Sequence, residues 1–261
     1  MNIVLGGAGL IGKRLVELLH QRGEETCVYD LKCGFDLRFR TPEPVPNAYC
    51  WFLAWDVGGA KYILDETQQL SILQHNLLLC QNVFGWLKES QIPFTFTSTQ
   101  MTSHPSAYGL TKSVGEFWAQ QLPQSRVARL WNVYDAEPTT VRSHVIPDMI
   151  SRARSGTISL MTTGEEQRQF LLADDCAEAL IYQREIRQPL ADITSGQWIS
   201  IASVARMIGN FMGAYIVLGE KKGYESLTSY EHPLPKWYPK HALIEGLYLV
   251  ADRMATEGVI Q

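Results

Sequence analysis

The run "NIVLGGAGLIGKRLVELLHQRG", residues 2 to 23, constrains the fold more than any other stretch. A short apolar segment ends in glycines and passes straight into a segment whose apolar positions Leu10, Ile11, Leu15, Leu18 and Leu19 recur at helical spacing. That reads as strand, tight turn and helix. Gly6, Gly7, Gly9 and Gly12 fit both the G-x-G-x-x-G spacing and a glycine at every third position. A pyrophosphate at a helix N-terminus needs backbone N–H groups with no side chain in the way, which glycine alone permits. The pattern gains weight from Asp30, 18 residues after Gly12 at the end of the next apolar run, "TCVYD". Together these features predict dinucleotide binding. A carboxylate at Asp30 can accept from two ribose hydroxyls and would repel a 2'-phosphate, so NAD is expected over NADP, with Lys32 nearby leaving room for mixed specificity.

The same alternation continues along the chain. "AYCWFLAW" (48 to 55) reads as a third strand, and a helical pattern from about Gln68 to Glu89 leads into the strand "PFTFTST" (93 to 99). A helix around Tyr108, the strand "RVARLWN" and a helix around "IPDMISRARSG" follow, while "TPEPVPN" is too proline-rich to be helical. Buried strands alternating with amphipathic helices imply an α/β fold, a Rossmann-type doubly wound parallel sheet whose ligand sits at the carboxyl ends of the strands. Beyond residue 132 the elements become short and irregular. We therefore expect a dinucleotide-binding domain over 1–132, its sheet completed by segments near 168–182, and a smaller α/β substrate lobe over 133–261.

The bulk numbers bound the function. The chain has 261 residues, 46% of them hydrophobic, with 27 acidic and 23 basic side chains. Its net charge of -4, without a long basic run, argues against a nucleic-acid partner. No window reaches the roughly 18 uninterrupted apolar residues of a membrane span. The N-terminus lacks the features of a cleaved signal, so a cytoplasmic location is expected. Cys27, Cys33, Cys50, Cys80 and Cys176 are odd in number at spacings that fit neither a disulfide framework nor a zinc site, and no metal is expected.

"SAYGLTKSVGEF", residues 106 to 117, places Tyr108 and Lys112 four residues apart, on one face of a helix. A phenol needs roughly 4 kcal/mol of help to ionise at pH 7, and a neighbouring ammonium favours the anion. The pair by itself is compatible with chance.

The segments "GGAGLIG", "FDLR", "FLAWDVGG", "HNLLLCQNV", "FTFTSTQMTS", "YGLTK", "RLWNVYDAEP", "RQFLLADD" and "WYPKHALIEGL", in this order, resemble the extended short-chain dehydrogenase/reductase family of nucleotide-sugar epimerases, dehydratases and reductases. The segments "DVGGAKY" and "RSHVIPDMI" are similar in particular to GDP-fucose synthase within that family. The resemblance implies that Tyr108 donates or accepts the proton, that Lys112 lowers its pKa and binds the nicotinamide ribose, and that Thr99 bonds the reacting oxygen, with Ser98 as the alternative one position away. It implies cofactor contacts from Gly6, Gly9, Leu10, Ile11, Gly12, Asp30, Leu37, Leu53 and Ala54. Asp36 is either an acceptor for the adenine amino group or a turn aspartate. Asn132 and Arg168 would contact the substrate diphosphate. His144 matches a family acid/base position or is structural.

Departures from the family pattern narrow the chemistry. Gln100 and Met101 stand where dehydratases carry an acid pair, and neither exchanges a proton at neutral pH. Asp135 replaces the usual glycine after "NVY". The expected function is an NAD-dependent nucleotide-sugar 4-epimerase. The alternatives are a 4-keto-sugar reductase and a non-catalytic dinucleotide sensor on the same fold. A homodimer is expected through outward faces bearing Leu77, Phe84, Val114 and Trp118.

Overall fold

Apolar runs bounded by glycine and proline become the strands of one parallel sheet. The computed structural model describes residues 1–223 and 231–256. In chain order come β1 (Asn2–Leu5), α1 (Leu10–Gln21), β2 (Thr26–Tyr29), β3 (Tyr49–Phe52), the single turn α2 (Ala60–Ile63), α3 (Gln69–Ser90), β4 (Phe94–Thr99), α4 (Ala107–Gln120) and β5 (Ser125–Leu130). The later half supplies β6 (Asn132–Tyr134), α5 (Val145–Ala153), β7 (Thr157–Ser159), β8 (Gln167–Arg168), β9 (Phe170–Leu172), α6 (Ala173–Ile186) and β10 (Leu190–Ile193). It ends with β11 (Ile199–Ser200), α7 (Ile201–Met212), β12 (Tyr215–Val217) and α8 (Leu243–Thr256).

Six strands pair in the order β10-β5-β4-β3-β1-β2, every neighbour parallel. The chain runs outward from β1 to β2 and then crosses to β3, so the order reverses between β1 and β3. The carboxyl ends of the strands at such a reversal are where sheets of this kind bind their ligands. This is a Rossmann-like α/β sheet, as the alternation of strands and helices predicts.

Side-chain alternation along the strands divides two cores. Ile3, Leu5, Phe52, Phe94 and Phe96 face α3 and α4, where Phe84 and Leu87 close the layer. Val4, Trp51, Ala128 and Leu130 face the other way, against Leu15 and Leu19 of α1 and Ala177 and Leu180 of α6. A third core joins Ile146 and Ile150 of α5, Val204 and Ile208 of α7, and Leu247 and Val250 of α8.

The sheet is completed differently from the sequence expectation. Residues near 168–182 do not add its last strand; Leu190–Ile193 does, beside β5. Ala173, Cys176, Ala177, Leu180 and Ile181 form one buried helical face that packs on the sheet, while Phe170–Leu172 pairs with Asn132–Tyr134 in a separate two-stranded ladder. The faces expected to point outward on α3 and α4 also need correction. Phe84 is fully buried and stacks on Trp118 at 5.7 Å, because both rings fill the core beneath the helices. Leu70, Leu77, Leu110 and Phe117 are the large apolar side chains these helices expose.

Candidate active site

The glycine turn is built so that backbone, not side chains, occupies it. Gly6 has φ +89°, and a Cβ there would lie 2.6 Å from the Ala54 nitrogen. A Cβ on Gly12 would lie 2.7 Å from the Gly7 Cα and closer still to the Gly6 carbonyl oxygen. Helix α1 begins directly after Gly9, and its first backbone bond runs from Lys13 N–H to the Gly9 carbonyl at 3.0 Å. The N–H groups of Leu10, Ile11 and Gly12 precede that bond, as at any helix start, which makes the turn a fit for a pyrophosphate. Leu53 and Ala54 both donate backbone bonds to the Leu5 carbonyl, at 2.9 and 2.8 Å, which places the loop after β3 against the turn.

Asp30, at the end of β2, is buried. Its carboxylate accepts from Ala8 N–H at 3.0 Å and Lys32 N–H at 2.8 Å, tying the strand end to the turn. Lys32 Nζ donates to the Ala8 carbonyl at 3.1 Å. Asp36 has the geometry of the turn alternative: its oxygens take the Arg38 N–H and guanidinium at 2.7 to 3.2 Å, and Leu37 beside it is buried. The Arg38 side chain holds the Asp36 carboxyl below its usual range.

Thr99 ends β4, Tyr108 lies in the first turn of α4, and Lys112 lies one turn further along that helix. Ser106 caps α4 by accepting from Gly109 N–H at 3.2 Å, which fixes the first turn bearing Tyr108. Gly109 has no room for a side chain, since a Cβ would sit 2.5 Å from the Met101 carbonyl oxygen. The Thr99 hydroxyl accepts from Met101 N–H at 3.2 Å and lies near enough to the Tyr108 phenol to lower its pKa. Ser98 points the other way, donating at 2.8 Å to Glu116, which pairs with Arg129. Of the two hydroxyls, Thr99 is therefore the one brought to the tyrosine.

Lys112 is 4% exposed and donates through Nζ to the Thr97 carbonyl at 2.6 Å. Burial drives it down to about 7. Tyr108 is pushed up to about 12 by burial, with the Thr99 hydrogen bond opposing the rise. The expected acidification of the phenol by Lys112 is thus absent from this arrangement. Both groups are desolvated, so each is driven toward its neutral form.

The remaining predicted residues lie around this centre. Asn132 accepts from Gln100 Nε2 at 3.2 Å, just past the end of β4. His144 caps α5, and its Nδ1 lies 2.8 Å from Glu137. Arg168, in β8 opposite Ile199, donates to the Gln167 carbonyl at 2.6 Å. Met101 packs with Tyr62, Ile72 and Tyr108.

A cluster that the sequence reading passed over joins the loop after β3 to the segment before α5 beside this packing. Asp56 accepts from Tyr62 at 3.0 Å and Arg142 at 2.6 Å, and lies 2.7 Å from His75 Nδ1. Arg142 and Ser143 place their backbone on Gly58 and Gly59, with Gly59 N–H donating to the Arg142 carbonyl at 2.8 Å. Asn76, fully buried, holds the Asp56 backbone from α3 at 2.8 and 3.1 Å. The segments "DVGGAKY" and "RSHVIPDMI", singled out together in the sequence, are the ones that meet here. Their joint appearance was the available signal.

A family model described as the NAD dependent epimerase/dehydratase family matches residues 52–188, slightly more than half the chain. No curated protein matches the sequence. Among solved structures, UDP-glucose 4-epimerase from Thermotoga maritima with UDP-glucose aligns over 100% of both chains, with TM-score 0.76 and 20% identity. WbmF from Bordetella bronchiseptica in complex with NADH aligns over 99% of this chain and 93% of its own, at TM-score 0.78 and 23% identity. Pal from Bacillus thuringiensis aligns over 98% and 100%, at 0.80 and 18%. At such identities the likeness is one of fold. The narrower resemblance to GDP-fucose synthase finds no support among these structures.

Proposed function

The chain belongs to the NAD dependent epimerase/dehydratase family, and from that premise we propose that it is an NAD-dependent nucleotide-sugar 4-epimerase. The observation that carries the reading is the nearness of Thr99, at the carboxyl end of β4, to the Tyr108 phenol in the first turn of α4, with Lys112 one helical turn along. Bound at the turn of Gly6, Gly9, Leu10, Ile11 and Gly12, with Asp30 on the adenosine ribose, NAD would supply reversible hydride acceptance at the sugar C4.

Tyr108 takes the proton of the C4 hydroxyl and later returns it to the C4 oxygen of the 4-keto sugar, which has turned over to present its opposite face to the cofactor. Thr99 holds the reacting oxygen and orients the phenol. For Tyr108 to act as a base near neutral pH a positive charge must come beside it, and in this reading the Lys112 ammonium supplies it once NAD and sugar are bound. Asn132 and Arg168 serve the substrate diphosphate. His144, already engaged by Glu137, holds the start of α5. Gln100 and Met101 offer no acid/base pair, which favours simple C4 inversion over dehydration.

One observation favours a second reading, a 4-keto-sugar reductase: the "DVGGAKY" and "RSHVIPDMI" segments, whose sequences suggested that enzyme, are in contact. Cofactor absorbance separates the two. An epimerase interconverts C4 epimers of a UDP-, GDP-, CDP- or dTDP-sugar through many turnovers at constant NADH, whereas a reductase consumes one NADH per product.

A further inference from the structure

We propose that Trp55 is a positioning residue whose indole face holds the Lys112 ammonium and favours its charged form. The inference rests on the acid/base role given to Tyr108 and Lys112 above. Trp55 follows Ala54 in the loop after β3, and its ring lies 5.4 Å from Phe96 and 6.0 Å from Phe52. Gly115 on α4 makes room for it: a Cβ there would come 2.6 Å from the Phe96 ring and 3.3 Å from the indole edge. Lys112 Nζ sits 4.1 Å from the Trp55 ring centre and 4.9 Å from that of Phe96.

An ammonium has three donors, and among the described residues this one has a single oxygen acceptor, the Thr97 carbonyl. The groups on the elements around it bring no opposing charge. Cys80 on α3 is pushed up to about 12 by burial and stays a thiol, and Tyr108 is held protonated. Glu116, one turn further along α4, is committed to Arg129 and Ser98. The two ring faces are what remains to favour the charge, and tryptophan gives the stronger attraction. Among the described residues the buried Trp55 indole N–H has no acceptor. Because burial leaves Lys112 titrating near 7, a modest change in that attraction decides its charge at neutral pH.

The test is the titration of Lys112 in nucleotide-free protein, followed by carbon-13 NMR of the lysine ε-methylenes and assigned by the signal lost in Lys112→Met. Trp55→Met and Trp55→Leu keep apolar bulk without the ring, and Trp55→Phe keeps a weaker ring, so the variants also guard against one failing to fold. The midpoint should fall by about one pH unit without the ring, from a cation–π contribution of roughly 0.5 to 2 kcal/mol, and by less in Trp55→Phe. NAD affinity at pH 7 should fall in the same order and recover at lower pH. A Lys112 midpoint unchanged in Trp55→Met or Trp55→Leu overturns the inference. The epimerase reading fails separately, through nucleotide-sugar turnover that survives in Tyr108→Phe.

Discussion

Arg253 on α8 meets Asp135, just past β6, at 2.8 Å, and the same carboxylate takes Arg14 Nε of α1 at 2.5 Å. Asp174 of α6 completes the chain by pairing with Arg253 at 2.7 and 2.8 Å. The residue that breaks the family's glycine pattern is thus the shared acceptor of a network joining the C-terminal helix to the helix that follows the glycine turn. Asp135→Gly would remove the shared carboxylate, leaving Arg14 with Glu17 and Arg253 with Asp174, at a cost of about 2 kcal/mol. Urea unfolding should show a clearly lower midpoint, and an unchanged midpoint would mean the network is dispensable.

The glycines of the turn are predicted to be unequal. A Cβ on Gly12 overlaps the Gly6 and Gly7 backbone, whereas one on Gly9 comes only within 3.2 Å of the Gly6 carbonyl oxygen. In NAD titrations Gly12→Ala should abolish measurable binding and Gly9→Ala weaken it less. Parent protein should bind NAD more tightly than NADP, and Asp30→Ala should narrow the gap.

The framework of this molecule was legible because its signals are local. The glycine turn, Asp30 and the strands 2–5, 94–99 and 125–130 are set by short-range sterics and alternation, and they appear where the sequence puts them. The choice of Thr99 as the partner of Tyr108 came instead from the family resemblance, with Ser98 one position away as the alternative. What escaped depends on distant partners. The sixth strand at 190–193 is as long as β1 but carries Asp192 within it and so does not read as an apolar run, and Asp56 reads as a loop carboxylate until Arg142, 86 residues on, closes over it. The phenol's high pKa was likewise invisible, since spacing on a helix says nothing of desolvation.

Burial lowers Lys112 from its ordinary 10.5 to about 7, and that shift has a sign in stability. Below pH 7 the folded chain carries the cost of a buried ammonium. Between about 7 and 10.5 the unfolded chain still binds the proton and the folded chain does not, so this contribution becomes more favourable as pH rises. Cys50, Cys80, Cys176 and Tyr108, all pushed up by burial, act in the opposite direction above pH 9. The informative quantity is therefore the stability of Lys112→Met minus that of the parent. It should shrink from pH 7 to 9 by on the order of 1 kcal/mol per pH unit, and a flat difference would mean the lysine is not desolvated.

Leu70 is 80% exposed, Phe117 68% and Leu110 54%, all on the outer faces of α3 and α4. We expect a homodimer through this surface. Sedimentation should find a dimer at micromolar concentration and a folded monomer for Leu110→Glu combined with Phe117→Glu. A monomeric parent removes the idea.

The central claim is that the Tyr108 hydroxyl moves the proton at the sugar C4. Tyr108→Phe keeps the ring against Tyr62 and Met101 and removes only that hydroxyl. Proton NMR of a panel of UDP-, GDP-, CDP- and dTDP-hexoses incubated with protein and NAD reads the C4 epimer directly. The account predicts that at least one sugar is inverted by the parent and that Tyr108→Phe inverts it two to four orders of magnitude more slowly, about the range of general acid/base catalysis, with NAD binding retained. Inversion by Tyr108→Phe at near the parent rate, or none by the parent, would contradict it.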